Sequence, residues 1–421
     1  MRTRAEEQPR QLSYSFLAGG VESERLTFSQ LELRARAIGG HLQRRRAQGE
    51  RVLLLYPPGT DYIAAFYGCL AGGAVAVPAY PPRMNRNLPR LLSILSDAHP
   101  KVALTTAAVF RQMRRSFQEA PALAGLDWIL TEELSDEEAE TWADPRPADD
   151  TLAFLQYTSA STSAPKGVMV SHGNLMHNQA VIKAAIRQGP DLVIVSWLPL
   201  FHDLGLIGNV LAAVYNGAPC HLMAPVDFLK QPRLWREAST RLRGTLSGGP
   251  NFGYELCLEK IGPEEREGLD LSSWQVGFNG SEPVRAETLR RFGEAFAGCG
   301  FRPQAMFPCY GLAEHTLFAT GGFLTRPSRR FSRASLELHL PRPAGQEPGI
   351  ELVSCGTALL ETRLVIADPD AGRRYGEQQV GEIWLAGPSV ARGYWNQPEE
   401  SRRTFQARLE DGDGPFLRTG D

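Results

Sequence analysis

The chain has 421 residues, of which 43% are hydrophobic and 22% charged, with a formal net charge of −2. That is a globular composition, too long for one ordinary core, so about two or three domains are expected. The near-neutral balance leaves no electrostatic case for nucleic acid or an anionic membrane. No apolar run reaches the roughly 18 residues that cross a bilayer, so no stable membrane insertion is expected. The opening M-R-T-R-A-E-E-Q-P-R has no apolar stretch behind its charges and does not read as a secretory signal. Six cysteines (69, 220, 257, 299, 309 and 355) form no C-x-x-C pair. They favour buried thiols in a reducing compartment over disulfides or zinc, and a cytoplasmic location.

In chain order, Leu26-Thr27-Phe28 reads as a short strand before an amphipathic helix, with Ser29 as a plausible N-cap. Strands follow at 51–56, 74–77, 101–105 and 127–130, with helices at 61–70 and 107–117. Strand alternating with helix predicts an α/β fold with a parallel sheet. P-A-Y-P-P-R, 78–83, reads as a rigid turn. The stretch 132–150 carries nine acidic residues against one arginine and reads as a solvated surface connection.

The stretch F-L-Q-Y-T-S-A-S-T-S-A-P-K-G-V-M-V-S-H-G-N, 154–174, sets strand-like runs at 154–157 and 168–170 around a loop of hydroxyls and small residues ending in Lys166-Gly167. Small residues let a backbone approach an anion; hydroxyls, N–H groups and a lysine supply donors and charge, so the loop reads as a phosphate cradle. A Ser/Thr-rich hairpin turn is the plainer alternative. It is not a P-loop, because Lys166 precedes a glycine and a strand rather than opening a helix.

Beyond it, helices are predicted at 173–186, 206–215, 234–243, 251–260 and 284–297. Strands are predicted at 193–197, 219–223, 245–247, 275–278 and 304–307, a second α/β unit. From about residue 350 short strands at 350–353, 362–366 and 382–386 replace helices and predict a small β-rich, barrel-like or sandwich-like subdomain. The expected division is 1–195, 196–345 and 346–421, two doubly wound α/β subdomains and the β-rich one.

T-S-x-S-T-x-x-P-K-G resembles the phosphate loop of the AMP-forming adenylating superfamily. Six further fragments follow in order: W-L-P-L-F-H-D-L-G-L-I-G (197–208), S-G-G-P-N-F-G-Y-E-L-C (247–257), F-N-G-S-E-P-V (278–284), P-C-Y-G-L-A-E-H-T-L (308–317), G-E-I-W-L-A-G-P-S-V-A-R-G-Y-W-N (381–396) and F-L-R-T-G-D (416–421). Together they resemble the fatty acyl-AMP ligases across nearly the whole chain.

The resemblance implies that ATP and Mg2+ are the cofactors. Thr158, Ser159, Ser161, Thr162 and Lys166 would hold the β- and γ-phosphates. Asn279, Gly280 and Ser281 would run along the adenine, with Tyr310 and Gly311 against it and Tyr310 stacking. Glu314, with Thr158, would hold Mg2+, and Asp421 would accept from the ribose hydroxyls. His202 would sit by the acyl carboxylate and α-phosphate, making His202, Lys166 and Glu314 the catalytic set. Ile207, Asn251, Phe252, Phe278 and Met306 are candidates for an apolar acyl channel. His172, His177 and His315 are read as structural. The partners implied are a fatty acid and a phosphopantetheinylated acyl carrier protein, with no nucleic acid. A long-chain acyl-CoA synthetase and a degenerate nucleotide- and lipid-binding module are the alternatives.

Within this resemblance, 325–349, with five arginines and no long apolar stripe, takes the position of a segment that hinders CoA-dependent turnover. Ala160 and Ser163 stand where the family commonly has glycine, which implies a weakened nucleotide site. Family members continue past R-T-G-D through a hinge into a small domain carrying a second catalytic lysine. The chain is therefore expected to be the large N-terminal portion, with that domain absent, and to adenylate slowly or not at all.

Overall fold

The computed structural model describes the chain except residues 82–87, 119, 159–164, 188, 324–327 and 347. The chain divides into two compact units. One comprises Met1–Met176, Leu198–Ala224 and Ala391–Pro398; the other comprises His177–Trp197, Pro225–Val390 and Glu399–Asp421.

The first unit is built on a six-stranded sheet in the order Asp127–Leu130, Val102–Thr105, Arg51–Leu55, Val75–Ala79, Leu152–Tyr157, Gly167–Ser171. The first five strands are parallel and the last pair antiparallel. Val52, Leu53, Leu54 and Leu55 are all fully buried, as a parallel strand covered on both faces requires. Cys220–Met223 pairs in parallel with Leu12–Ala18, which pairs antiparallel with Val21–Thr27.

The helix Phe28–Arg44 begins two residues earlier than a Ser29 cap would place it, and its cap is Thr27, not Ser29. Thr27 Oγ1 accepts from Gln30 N–H, and Gln30 Oε1 accepts from Thr27 N–H at 2.9 Å. This reciprocal pair satisfies two otherwise orphaned donors, which Ser29 could not do. The helix lies close against Thr60–Gly72: a Cβ on Gly68 would stand 2.5 Å from Ile38 Cγ2.

The acidic stretch is mostly exposed, as expected of a surface connection, and it also clasps the first unit. Trp142 Nε1–H donates to Ala71 O at 2.7 Å, Ala139 is buried, and Glu138 pairs with Arg44. Exposed ion pairs contribute little, so the apolar and backbone contacts hold the clasp. A helix at Leu88–Ala98, absent from the sequence reading, covers the sheet with Leu91, Ile94 and Leu95.

The second unit holds parallel strands Ile194–Ser196, Leu246–Gly249, Val276–Asn279 and Met306–Gly311, then Phe318–Gly321 antiparallel at the edge. The strand expected to end at Phe307 runs on to Gly311, because Cys309, Tyr310 and Gly311 find ladder partners in Gly321, Thr320 and Phe318. Its core is aromatic: Trp235, Trp274, Tyr254 and Phe292 are all buried and in edge or stacked contact. The β-rich part is an antiparallel sheet of Arg363–Ala367, Glu382–Ala386 and Leu417–Arg418 over Val365, Trp384, Leu409 and Phe416. In the arginine-rich segment, Arg329–Ser332 pairs antiparallel with Gly349–Leu352. Among the described residues no helix is long and apolar enough to cross a membrane.

Candidate active site

The sequence-predicted residues fall into two groups, one in each unit. In the first unit the hairpin forms as predicted: Leu152–Tyr157 and Gly167–Ser171 are antiparallel, with Tyr157 opposite Gly167. Thr158 and Lys166 close its neck. Thr158 N–H donates to Lys166 O at 3.1 Å, and Lys166 N–H to Thr158 Oγ1 at 3.4 Å. Ser159, Ser161 and Thr162, with Ala160 and Ser163, lie outside the described residues.

Two elements that the sequence reading missed brace this neck. Arg90, on the helix Leu88–Ala98, donates from Nη2 to Thr158 O at 2.9 Å. The A-R-G-Y-W run lies along the outer strand. Arg392 N–H donates to Met169 O at 3.0 Å, Met169 N–H to Gly393 O at 2.9 Å and Trp395 N–H to Gly167 O at 2.8 Å. The Lys166 ammonium stands 4.7 Å from the Tyr394 ring centroid. The apolar spacing of Leu88, Leu91, Leu92 and Leu95 would have revealed the helix. Nothing local marks 391–396 as a partner of the hairpin.

His202 immediately precedes a short helical turn, Asp203–Gly205. A Cβ on Gly205 would fall 2.1 Å from Pro199 O, so the turn needs a glycine. His202 Nδ1 lies 2.6 Å from Asp203 Oδ1, with the ring 42% exposed. Leu204 N–H meets Asp203 Oδ1 at 2.6 Å and His202 Nδ1 at 3.3 Å; the shorter bond prevails and leaves Nδ1–H to donate to the carboxylate. Burial opposes the imidazolium, but the Asp203 hydrogen bond and charge outweigh it and raise the His202 pKa above its ordinary value, against a smaller effect of Arg90. Asp203→Asn is therefore expected to bring the His202 pKa below the ordinary histidine value, because burial and Arg90 both act that way. An NMR titration of the imidazole checks this, and an unmoved pKa would remove Asp203 as the cause.

A cavity of about 250 Å³ in the same unit is walled by Tyr80, Arg90, Leu91, Ile94, Tyr157 and Phe201, among others. Gln156 Nε2–H donates to Phe201 O at 3.1 Å, joining hairpin and His202 segment. The five candidate channel residues are not among its walls. Ile207 is buried in a π-helical turn, Leu206–Leu211. Phe252, 43% exposed, meets the Trp197 ring edge-on, while Phe278 and Met306 are buried. Asn251 is a polar hub: its amide donates to Thr288 Oγ1 at 3.0 Å and its Oδ1 accepts from Asn279 Nδ2 and Arg285 N.

In the second unit the strand Val276–Asn279 runs beside Met306–Gly311, with Asn279 opposite Pro308. Gly280 passes so close to the next strand that a Cβ would lie 2.8 Å from Cys309 Sγ. Ser281 follows at φ +66°. Asn279 is fully buried, and its Oδ1 has no hydrogen-bond partner among the described residues. Tyr310 donates from its hydroxyl to Asp421 Oδ2 at 2.7 Å. Asp421 is set by its own backbone, Ile383 N–H donating to Asp421 O at 3.0 Å. Burial foremost, with Asp421 and Glu314 adding, pushes the Tyr310 pKa up, so the phenol stays protonated. Glu314 rides a single 3-10 turn, Ala313–His315, directly after the strand. Burial drives the His315 pKa down to about 4, so the ring is neutral, its Nδ1–H donating to Phe318 O at 3.0 Å.

A family model described as AMP-binding enzyme matches residues 1–395. A medium-chain-fatty-acid–[acyl-carrier-protein] ligase of Moorena producens is 42% identical over 430 residues, covering 99% of this chain and 73% of the relative. The crystal structure of a fatty acid AMP ligase from Legionella pneumophila is similar with a TM-score of 0.94 at 40% identity, covering 100% of this chain and 73% of that one. A fatty acyl-adenylate ligase of L. pneumophila, solved in complex with acyl adenylate and pyrophosphate, is similar with a TM-score of 0.93 at 41% identity, with the same coverage. With motif order, strand-end geometry and these likenesses in agreement over nearly its whole length, the chain belongs to the AMP-binding enzymes, in their fatty acyl-AMP ligase branch.

Proposed function

We propose that this protein activates a fatty acid with ATP and passes the acyl group to the phosphopantetheine thiol of an acyl carrier protein. A carboxylate oxygen bonds to the α-phosphorus, the bond to the bridging oxygen breaks and pyrophosphate leaves. The thiol then displaces AMP from the mixed anhydride. What carries the reading is one grouping: Tyr310 near the end of the strand Met306–Gly311, the Asp421 carboxylate 2.7 Å from its hydroxyl, and Glu314 on the adjoining turn. Strand ends are where α/β sheets take ligands. Tyr310 offers a flat face to adenine, the Asn279 Oδ1 an unused buried acceptor, and Asp421 two oxygens for a vicinal diol. Lys166 brings charge to the phosphates, and His202, its positive form favoured by Asp203, to the carboxylate and α-phosphate.

Glu314 would hold Mg2+. No three His, Cys, Asp or Glu side chains gather into a cage among the described residues. A carboxylate such as Glu314 suits Mg2+, which takes a carboxylate or two and fills its shell with phosphate oxygens and water. When bound, the ion neutralises phosphate charge. We place the reaction in the cytoplasm, supported by six cysteines that all remain free thiols. The names of the M. producens and L. pneumophila relatives support the fatty acid and the carrier protein.

The test is mass spectrometry of products from a fatty-acid panel with ATP, Mg2+ and either holo-carrier protein or CoA. Acyl-AMP and acylated carrier protein are expected. Acyl-CoA as the dominant product would transfer the chain to the CoA ligases, and ATP binding without acyl-AMP would make it a binding module.

A further inference from the structure

Immediately after Glu314 the backbone enters a conformation that a β-branched residue avoids. Thr316 sits at φ +67°, ψ −60°, and Leu317 N–H donates to His315 O at 2.8 Å. This is a γ-turn of the rare, strained hand, and such a residue persists only where its surroundings over-determine it.

The surroundings are a buried polar cluster from three stretches of chain. Thr316 Oγ1–H donates to Ser389 O at 2.7 Å. Asn178, on the helix His172–Ile186, brackets Phe318: Phe318 N–H donates to Asn178 Oδ1 at 3.1 Å, and Asn178 Nδ2–H to Phe318 O at 2.9 Å. The second amide proton of Asn178 reaches Ser389 Oγ at 3.0 Å. Ser389 Oγ lies 2.7 Å from His177 Nδ1, and His177 Nε2 lies 3.0 Å from Glu361 Oε2. One donor direction satisfies the series: Asn178 amide to Ser389 hydroxyl, hydroxyl to His177 Nδ1, and Nε2–H to Glu361. Asn178, Ser389, His315 and Thr316 are all 0% exposed.

The Ser389–His177–Glu361 chain has the residue types of a hydrolytic triad. Burial excludes that role, because a hydroxyl with no exposed surface that already accepts from Asn178 cannot reach a substrate carbonyl.

We propose that Asn178 and Ser389 are positioning residues for the nucleotide's metal. The strained Thr316 turn is held at Thr316 by the Ser389 backbone carbonyl and at Phe318 by the Asn178 amide, which the Ser389 hydroxyl fixes in turn. The turn then has one geometry, and that geometry sets the direction in which Glu314, two residues upstream, presents its carboxylate. The inference rests on Glu314 as a Mg2+ ligand. Groups that orient a metal ligand typically change metal affinity by about 10–100-fold when removed.

The experiment is calorimetric titration of ATP into the chain over a Mg2+ series and in EDTA, with circular dichroism confirming the fold. Ser389→Ala and Thr316→Val are expected to raise the Mg2+ concentration for half-maximal ATP binding about 10-fold while leaving metal-free ATP affinity near wild type. Thr316→Ser, which keeps the hydroxyl, is expected to stay much closer to wild type than Thr316→Val. Should Ser389→Ala not fold, the Thr316 pair alone decides. Equal losses with and without Mg2+, or an unchanged Mg2+ requirement in folded variants, would overturn the proposal. Glu314→Gln separates the two layers. If it shifts the Mg2+ requirement and Ser389→Ala does not, the clamp fails alone. If Glu314→Gln shifts nothing, the metal reading falls and takes the clamp with it.

Discussion

Gly311→Ala is expected to cut acyl-adenylate formation about a hundredfold. A Cβ at this position would lie 1.8 Å from Leu317 O and 2.8 Å from the Leu317 carbonyl carbon. Both contacts are backbone, so no side chain can swing aside. The chain must open between Tyr310 and the Thr316 turn, where the register already shifts at Tyr310/Gly311. Tyr310 and Glu314 sit on either side of that opening. A misplacement near 1 Å typically costs on the order of 10²-fold in rate, or about 2.7 kcal/mol of barrier. Hydroxamate trapping of the acyl-adenylate measures it. A rate within threefold of wild type would mean that this strand-to-turn junction does not define the site.

The second large effect is on stability. Trp235→Ala is expected to destabilise the second unit by about 4 kcal/mol, at the upper end for large aromatic truncations. The ring is fully buried, with the centroids of Phe228, Trp197, Trp274 and Tyr254 at 5.4, 5.7, 5.7 and 5.9 Å. Its Nε1–H donates to Ser247 Oγ at 2.7 Å. It also faces the buried Arg236 guanidinium, 3.2 Å from the ring centroid. The polar neighbour of that guanidinium is the weakly accepting Cys257 thiol, and burial lowers the Arg236 pKa. Truncation therefore opens a cavity and strips a π-face from a buried cation at once. Urea denaturation followed by tryptophan fluorescence measures the loss, and a change under about 1 kcal/mol would show that the neighbouring rings collapse into the gap.

Much of this architecture was legible from letters alone, for a local reason. Apolar runs such as Arg51–Leu55 and Asp127–Leu130 announce buried strands, and the helix Asn251–Lys260 has the bounds its pattern predicts. Gly311 and Glu314 were legible only through the resemblance of P-C-Y-G-L-A-E-H-T-L to the fatty acyl-AMP ligases. Misjudged features lay where a distant partner outweighs the local signal. Ser29 looked like a cap, but Thr27 and Gln30 close the reciprocal pair. The acidic stretch is solvated as it looked, but its anchoring was not legible, because Trp142 reaches Ala71, 71 positions away. Arg90 was passed over because its partner, Thr158 O, lies 68 positions on.

The sequence by itself determined the alternation of strand and helix, the hairpin ending in Lys166-Gly167, and which reactive side chains exist: Lys166, His202, Tyr310, Glu314 and Asp421. Their patterns are carried by near neighbours, where backbone geometry ties residue type to position. Only the tertiary structure decided what holds those groups in place. Ser389 meets Asn178 from 211 positions away, Asp421 meets Tyr310 from 111, and residues 392–395 edge the hairpin. A hydrogen bond between two buried side chains leaves no periodicity along the chain. It exists only once the packing of both partners has removed water as the competing partner.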